Sequence, residues 1–382
     1  MEQFNLDTFR NAAPYIYAHK GHVFVITLPA DFIKNEQFSS LVQDLALMQT
    51  LGAKLVLVHS VEINTPNARQ KTPIIDKTRL TKIQHAIGEQ RAVIESLFST
   101  GLVNTPMAGM KLTIVSGNFV HAKPKGIVEG TDQQYLGEVR RIDAQAIMQQ
   151  LQHGNIVLLP SLGYSPSGEC FYVDGHDVAT TAAESIPAEK LIFMMNEATL
   201  QDSRKQRIKF LTLKNAQSLL KRRKSIATQV RNYIELAINA CLSQVQRVHL
   251  LSVKTPGALL QELYSHDGAG TLISAELYDD IHPATIEHVG GIISLIKPLE
   301  EQGILVPRTR DQIELDIHQY DVIERDGFVI ACACLHPINE KNTGEIACLA
   351  VHPDFQKEGH GSRLLKHLEE KAWQHGMENY SS

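Results

Sequence analysis

The 382-residue chain lacks the features that would send it into a membrane, an oxidising compartment or a nucleic-acid groove. No uncharged apolar stretch reaches membrane-spanning length, and Met1-Glu2-Gln3-Phe4-Asn5 has no charged-then-apolar signal pattern, so a cytoplasmic protein with no membrane partner is expected. Cysteines number only five, Cys170, Cys241, Cys332, Cys334 and Cys348, with no Cys-x-x-Cys pair. That argues against a disulfide framework or structural zinc and leaves them as reduced, small core residues. The 17 histidines include no His-Glu-x-x-His or similar cluster, so no metal is assigned. A formal charge of -5 gives no basic field for phosphates, and no nucleic-acid partner is expected. The exception, Lys221-Arg222-Arg223-Lys224, follows Leu219 and Leu220 and reads as a solvated helix face. There is no repeat and no low-complexity tract.

What is present, 43% hydrophobic and 21% charged residues, suits two buried cores. Short apolar runs alternate with helical patterns up to about Val253: Val23 to Ile26, Leu55 to Val58, Ile156 to Leu159, Leu191 to Met194 and Val248 to Leu251. Runs apolar on both faces predict a parallel sheet covered by helices, a doubly wound α/β domain over residues 1–280. Ile83, Ile87, Ile94, Leu97 and Phe98 recur at helical spacing, and Gly101 is the expected stop.

The texture changes near Ile281. An amphipathic helix over Ile286 to Glu301 carries Ile292, Leu295, Ile296 and Leu299 on one side. Two apolar runs then flank Arg325-Asp326-Gly327, a strong hairpin signal, and a third strand covers Glu345 to Val351. Helix followed by meander predicts a second, α+β domain over residues 281–382, with the boundary inside Tyr278 to Pro283.

The most informative stretch is strand, glycine loop, helix: Glu345 to Val351, then Gln356-Lys357-Glu358-Gly359-His360-Gly361, then Leu364, Leu365 and Leu368. A backbone holds a pyrophosphate in this way, through close approach at the glycines and the positive end of the helix. A Gly-x-Gly alone is weak evidence, but this loop resembles the Gln/Arg-x-x-Gly-x-Gly signature of the GNAT acetyltransferases. The words Gly344-Glu345-Ile346-Ala347-Cys348-Leu349-Ala350-Val351-His352-Pro353 resemble, more narrowly, the motif of the bacterial N-acetylglutamate synthases. The resemblance runs from Phe9 to about Trp373 and implies an amino-acid-kinase-like domain followed by a GNAT domain, with acetyl-CoA as co-substrate and L-glutamate as acceptor. It implies acetyl-CoA contacts at Cys348, Leu349, Val351, Gln356, Lys357, Gly359, His360, Gly361 and Ser362.

An ammonium has no lone pair to attack a thioester, so acetyl transfer to an amino acid needs a base. The family's motif places that base at Glu345. The dianionic acceptor needs a cation to fork onto a carboxylate, and Arg308, in Gly303-Ile304-Leu305-Val306-Pro307-Arg308, matches the segment that binds glutamate in these synthases. Where kinases of this fold have Lys-x-Gly-Gly, the chain has Leu28-Pro29-Ala30-Asp31, which removes the charge clamp and backbone cradle of phosphoryl transfer. The resemblance implies instead that the first domain binds arginine as feedback inhibitor, through Tyr15, Lys190, His249, Glu262, Gly270 and Thr271, and that the chain assembles as a homohexamer.

Synthases of this type continue past the helix near Ser362 into further elements. The chain's end at Ser382 therefore implies a GNAT domain without its final elements, the helix having no following strand to complete its layer. The rival expectation is an inert form that retains arginine binding and oligomerisation.

Overall fold

The computed structural model describes residues 6–61, 73–101, 107–202, 204–222, 226–265, 267–274, 281–325, 328–338, 343–356, 359–375 and 379–381. The Asp326-Gly327 turn and Lys357 lie outside the described residues. The chain divides into two compact units, Met1–Glu276 and Leu277–Ser382.

The first unit opens with helix α1 (Leu6–His19) and is built on an eight-stranded sheet: β1 (Val23–Leu28), β2 (Lys54–His59), β3 (Ile114–Ser116), β4 (Ile156–Pro160), β5 (Lys190–Met195), β6 (Phe210–Thr212), β7 (Arg247–Ser252) and β8 (Thr271–Ser274). Their spatial order is β6-β8-β7-β5-β1-β2-β4-β3. Neighbours run parallel except at β7/β8, where the chain turns back on itself. Both faces are dry, as the continuous apolar runs require. Val23 and Val25 pack into one core with helix α4 (Gly175–Ser185) and helix α5 (Thr228–Leu242), while Phe24, Ile26 and Leu28 pack into the other with α2 (Phe38–Thr50), α3 (Lys77–Phe98) and α6 (Ala258–Tyr264). The alternation follows from the two-residue period of a strand.

Two sequence expectations change here. Gly101 does not stop α3, which ends at Phe98 with Ser99 donating its hydroxyl and amide to the carbonyl of Glu95. A second, four-stranded sheet, built from Cys170–Tyr172, Leu162–Tyr164, Val120–Pro124 and Gly137–Ile142, was not read from the sequence.

The second unit is a five-stranded sheet in the order β9 (Ile281–Pro283), β10 (Tyr320–Arg325), β11 (Phe328–Ile338), β12 (Thr343–Val351), β13 (Asn379–Ser381). β9 to β12 are antiparallel, whereas β13 runs parallel to β12 with Thr343 opposite Asn379. This corrects the expectation that no strand follows the last helix. Helix α7 (Val289–Glu301) and short helix α8 (Arg310–Leu315) close one face, where Ile292, Leu295, Ile296 and Ile313 meet Tyr320, Val322, Cys332, Cys334 and Cys348. Helix α9 (His360–Gln374) covers the other with Leu364, Leu368 and Ala372 against Ile323, Ile330, Ala333 and Ile346.

One buried ion pair fixes α9 on the sheet. Asp321 of β10 is fully buried; Lys371 donates to its Oδ2 at 2.6 Å, and His367 lies 3.6 Å from its Oδ1. Removing one partner strands a buried charge, which costs more than replacing both. Lys371→Met is expected to lower the stability of this unit by about 3 kcal/mol, and the double variant Asp321→Leu/Lys371→Met to recover most of that, as read from denaturant unfolding.

Candidate functional site

The pairing of β11 with β12 breaks at one place. Cys332 lies opposite Ala350 and Cys334 opposite Ala347, so Cys348 and Leu349 together face a single residue, Ala333. Cys348 takes the left-handed conformation, φ 51°, which a non-glycine residue holds only where the surroundings enforce it. The surroundings here are Tyr320, whose buried hydroxyl donates to Cys348 Sγ at 3.7 Å, and Cys332, whose thiol reaches the Cys348 carbonyl at 3.6 Å. Burial pushes the Tyr320 hydroxyl and the Cys332 and Cys334 thiols well above their ordinary values, so they are neutral donors and not nucleophiles.

Glu345 is exposed on β12, directly opposite His336 of β11. Arg308 enters from the loop between α7 and α8, its backbone amide held by Glu300 Oε1 at 2.9 Å. Its Nη1 donates to His336 Nε2 at 2.7 Å and to the Tyr320 hydroxyl at 3.4 Å. The fold thus gathers Arg308, Tyr320, Cys348 and Glu345 around His336. Sequence reading did not single out His336; its one signal, a histidine in the strand opposite Glu345, requires the register.

Beyond β12, Gln356 donates to the Val351 carbonyl at 3.3 Å. Gly359, at φ 88°, is the N-cap of α9 with no side-chain cap, and Arg363 N is bonded back to its carbonyl. By helix geometry the amides of His360, Gly361 and Ser362 precede the first intrahelical bond and point outward. His360 is buried and stacks edge-on to Phe355, Ser362 is exposed, and a Cβ at Gly361 would meet Val351 Cγ2 at 3.4 Å. Leu349 keeps its side chain in solvent. The result is a strand followed by an uncapped helix start, suited to an extended ligand ending in phosphate.

In the first unit, β5, β7 and α6 bring together the residues expected to bind arginine. Lys190 heads β5, fully buried; His249 lies on β7 on the same sheet face; Tyr15 is buried on α1, which His19 ties to the carbonyl of Leu263 on α6 at 2.8 Å. Glu262 of α6 is the hub. Its Oε1 accepts from His249 Nδ1 at 2.6 Å, and its Oε2 from the amides of Ala269 and Gly270, each at 2.7 Å. Gly268, at φ 59°, makes this wrap possible, because a Cβ there would sit 2.7 Å from Glu262 Oε2. Burial by itself would raise the Glu262 carboxyl, but the His249 bond and charge and the two amides outweigh it and bring it from 4.5 to about 2. The stability this supplies is fully present above about pH 4.5 and is lost as pH falls through about 2. Thr271 donates to the Ile208 carbonyl at 2.6 Å, and His249 Nε2 is buried with no hydrogen-bond partner among the described residues.

The fold also assembles one His/Glu cluster that sequence reading did not find. His282, His288 and Glu324 bring their ligand atoms within 4.8 Å of one another. The amide of Thr285 donates to His288 Nδ1 at 2.9 Å, so His288 Nε2 carries the proton it gives to Glu324 at 2.8 Å. A metal would need that lone pair, so the donor set fits a hydrogen-bonded network. Among the described residues no helix is long and apolar enough to cross a membrane.

Comparison with known proteins identifies the two domains. Residues 23–252 match the amino acid kinase family and residues 292–381 the acetyltransferase (GNAT) family. The amino-acid acetyltransferase of Ectopseudomonas mendocina is 42% identical, the match covering 96% of this chain and 87% of that protein, and the amino-acid acetyltransferase of Azotobacter vinelandii is 43% identical, covering 95% and 86%. A crystal structure of N-acetylglutamate synthase from Neisseria gonorrhoeae complexed with coenzyme A and L-arginine superposes with a TM-score of 0.85 at 34% identity, covering 98% of this chain and 88% of that one. A second structure of that synthase, complexed with coenzyme A and N-acetyl-glutamate, gives a TM-score of 0.66 at the same 34% identity, covering 98% and 87%. With both domain types present in this order and an identity above 40% to acetyltransferases over nearly its whole length, the chain belongs to the amino-acid acetyltransferase family, enzymes of the N-acetylglutamate synthase type that use acetyl-CoA as acetyl donor.

Proposed function

We propose that the chain transfers the acetyl group of acetyl-CoA to the α-amino group of L-glutamate, giving N-acetyl-L-glutamate at the entry to arginine biosynthesis, and that L-arginine inhibits it through the first unit. The observation that carries this reading is the grouping of Arg308 and Glu345 beside the bulge at Cys348. A guanidinium for a carboxylate, a carboxylate for an ammonium proton and a broken strand for an acyl group are what acetylation of an acidic amino acid requires. The relatives' names agree in chemistry, and the gonococcal synthase is a complex with arginine in one structure and N-acetyl-glutamate in the other.

In this mechanism Arg308 binds a glutamate carboxylate and presents the amine to Glu345, which takes its proton directly or through a water. The neutral nitrogen attacks the thioester carbonyl; an N–C bond forms, the C–S bond breaks, and the second proton of the nitrogen passes to the departing sulfur, so coenzyme A leaves as the thiol. The strand from Cys348 to Val351 pairs with the pantetheine arm. Gln356, Lys357 and the α9 start at Gly359, His360, Gly361 and Ser362 receive the pyrophosphate. The neutral buried thiols of Cys332 and Cys334 favour this direct transfer over an acyl-cysteine route.

At the effector site the guanidinium of arginine would bond to Glu262 Oε1, its carboxylate would pair with Lys190, and Tyr15, His249, Gly270 and Thr271 would line its path. We further propose a homohexameric assembly for the chain.

Glu345→Gln is expected to lower kcat by about 10²-fold with little change in the KM for acetyl-CoA. Near-normal turnover across pH 6 to 9 would remove Glu345 as base. Arg308→Ala should raise the KM for glutamate about tenfold or more; a change confined to acetyl-CoA would refute the clamp. For regulation, Glu262→Ala should abolish inhibition by arginine and its calorimetric binding while activity without arginine persists. Unchanged arginine binding would exclude Glu262 from the effector site.

A further inference from the structure

We propose that His336 is a positioning residue for the acceptor clamp: it fixes which edge of the Arg308 guanidinium meets the glutamate carboxylate, and it releases that clamp when protonated. The inference rests on Arg308 being the carboxylate clamp and goes beyond it.

One group at this site has no choice of role. Arg308 only donates hydrogen bonds, so His336 Nε2, 2.7 Å from Arg308 Nη1, must be an acceptor. The proton of the neutral ring then sits on Nδ1, and Gln319 must present Oε1 to receive it, as it does. Gln319, His336 and Arg308 therefore form one directed chain with no alternative tautomer. Cys334 Sγ, 3.3 Å from Nε2, adds only a weak donor.

The two hydrogens of Arg308 Nη1 are thereby committed, one to His336 and one to the Tyr320 hydroxyl at 3.4 Å. No described group takes Nε or Nη2, so a carboxylate can fork only onto the Nε/Nη2 edge. Because Tyr320 in turn donates to Cys348 Sγ at 3.7 Å, the same contacts tie the clamp to the strand break. His336 does not compete with Glu345 for the substrate proton, since its one lone pair is already engaged by Arg308.

Several charged groups bear on the imidazole. Burial pushes it below its ordinary value and Arg308 pushes the same way, while Asp316 and Glu345 oppose them. The surrounding Tyr320 and Cys334 are neutral, their own ionisation pushed up by burial. His336 is thus neutral at neutral pH. When acid protonates Nε2, two donors and two positive charges face each other at the Arg308 contact, and Arg308 must swing away.

The test is steady-state kinetics with acetyl-CoA and L-glutamate on the full chain. His336→Leu should raise the KM for glutamate about ten- to a hundredfold, the range for losing a hydrogen bond to a charged group, with kcat and the KM for acetyl-CoA little changed. His336→Gln, which keeps an acceptor for Arg308, should restore most of the affinity. In the wild-type protein the glutamate KM should rise as pH falls below the imidazole value, and this acid limb should disappear in His336→Gln. A flat acid limb in the wild type, or an unchanged glutamate KM in His336→Leu, overturns the proposal. If His336→Leu does not fold, the pH profiles of the wild type and His336→Gln decide alone. Arg308→Ala, run beside them, separates two failures: if it too leaves the glutamate KM unchanged, the clamp itself is wrong, whereas an effect at Arg308 with none at His336 refutes only the positioning role.

Discussion

At Cys348 the pairing of β11 with β12 slips by one residue, and the rest of the second unit is arranged around that slip. Without the bulge, strict alternation would put Ala347 and Cys348 on opposite faces. With it, Glu345, Ala347, Cys348 and Ala350 share the face that carries His336, Tyr320 and Arg308, and Leu349 faces solvent. A left-handed non-glycine residue costs on the order of 1–3 kcal/mol, offset here by the dense contacts of Tyr320, Cys332 and α7. The strand that carries the motif is therefore the strained one.

Much of this was legible in the sequence, for reasons that can be named. The five apolar runs of the first unit are buried on both faces, so each lies within a strand of the parallel sheet. Glu345, the glycine loop and Arg308 stand in short contiguous words, which is how a family match finds residues. The four-stranded sheet around Val120 was not legible, because its strands are short, alternate only partly, and join two locally paired halves through the single pair His121 and Tyr164. His336 escaped for a related reason. Its proposed role depends on lying opposite Glu345, within reach of Arg308 from a loop and Gln319 from the 3-10 turn Ile317–Gln319, and no local pattern encodes such a meeting. The His282/His288/Glu324 group shows the same limit, since 36 residues separate His288 from Glu324.

The first unit has an analogous hub. Glu262 holds its own loop, Ala269 and Gly270, with one oxygen and His249 with the other. The same carboxylate that would recognise a guanidinium therefore shapes the loop around it, so affinity and local order are linked at one residue. The turn at Leu28-Pro29-Ala30-Asp31, in contrast, carries neither lysine nor glycine, and the sheet beneath it is fully packed. Packing of the sheet depends on its apolar alternation and not on that turn.

In the proposed reaction a guanidinium and a carboxylate on one sheet face select an acidic amino acid as acetyl acceptor. The most direct measurement is the initial rate of thiol release from acetyl-CoA with a panel of L-amino acids as acceptors. Release is expected to depend on L-glutamate, strongly preferred over glutamine and apolar amino acids, and to be suppressed by L-arginine. No glutamate-dependent release, or equal rates with acceptors lacking the side-chain carboxylate, would contradict it.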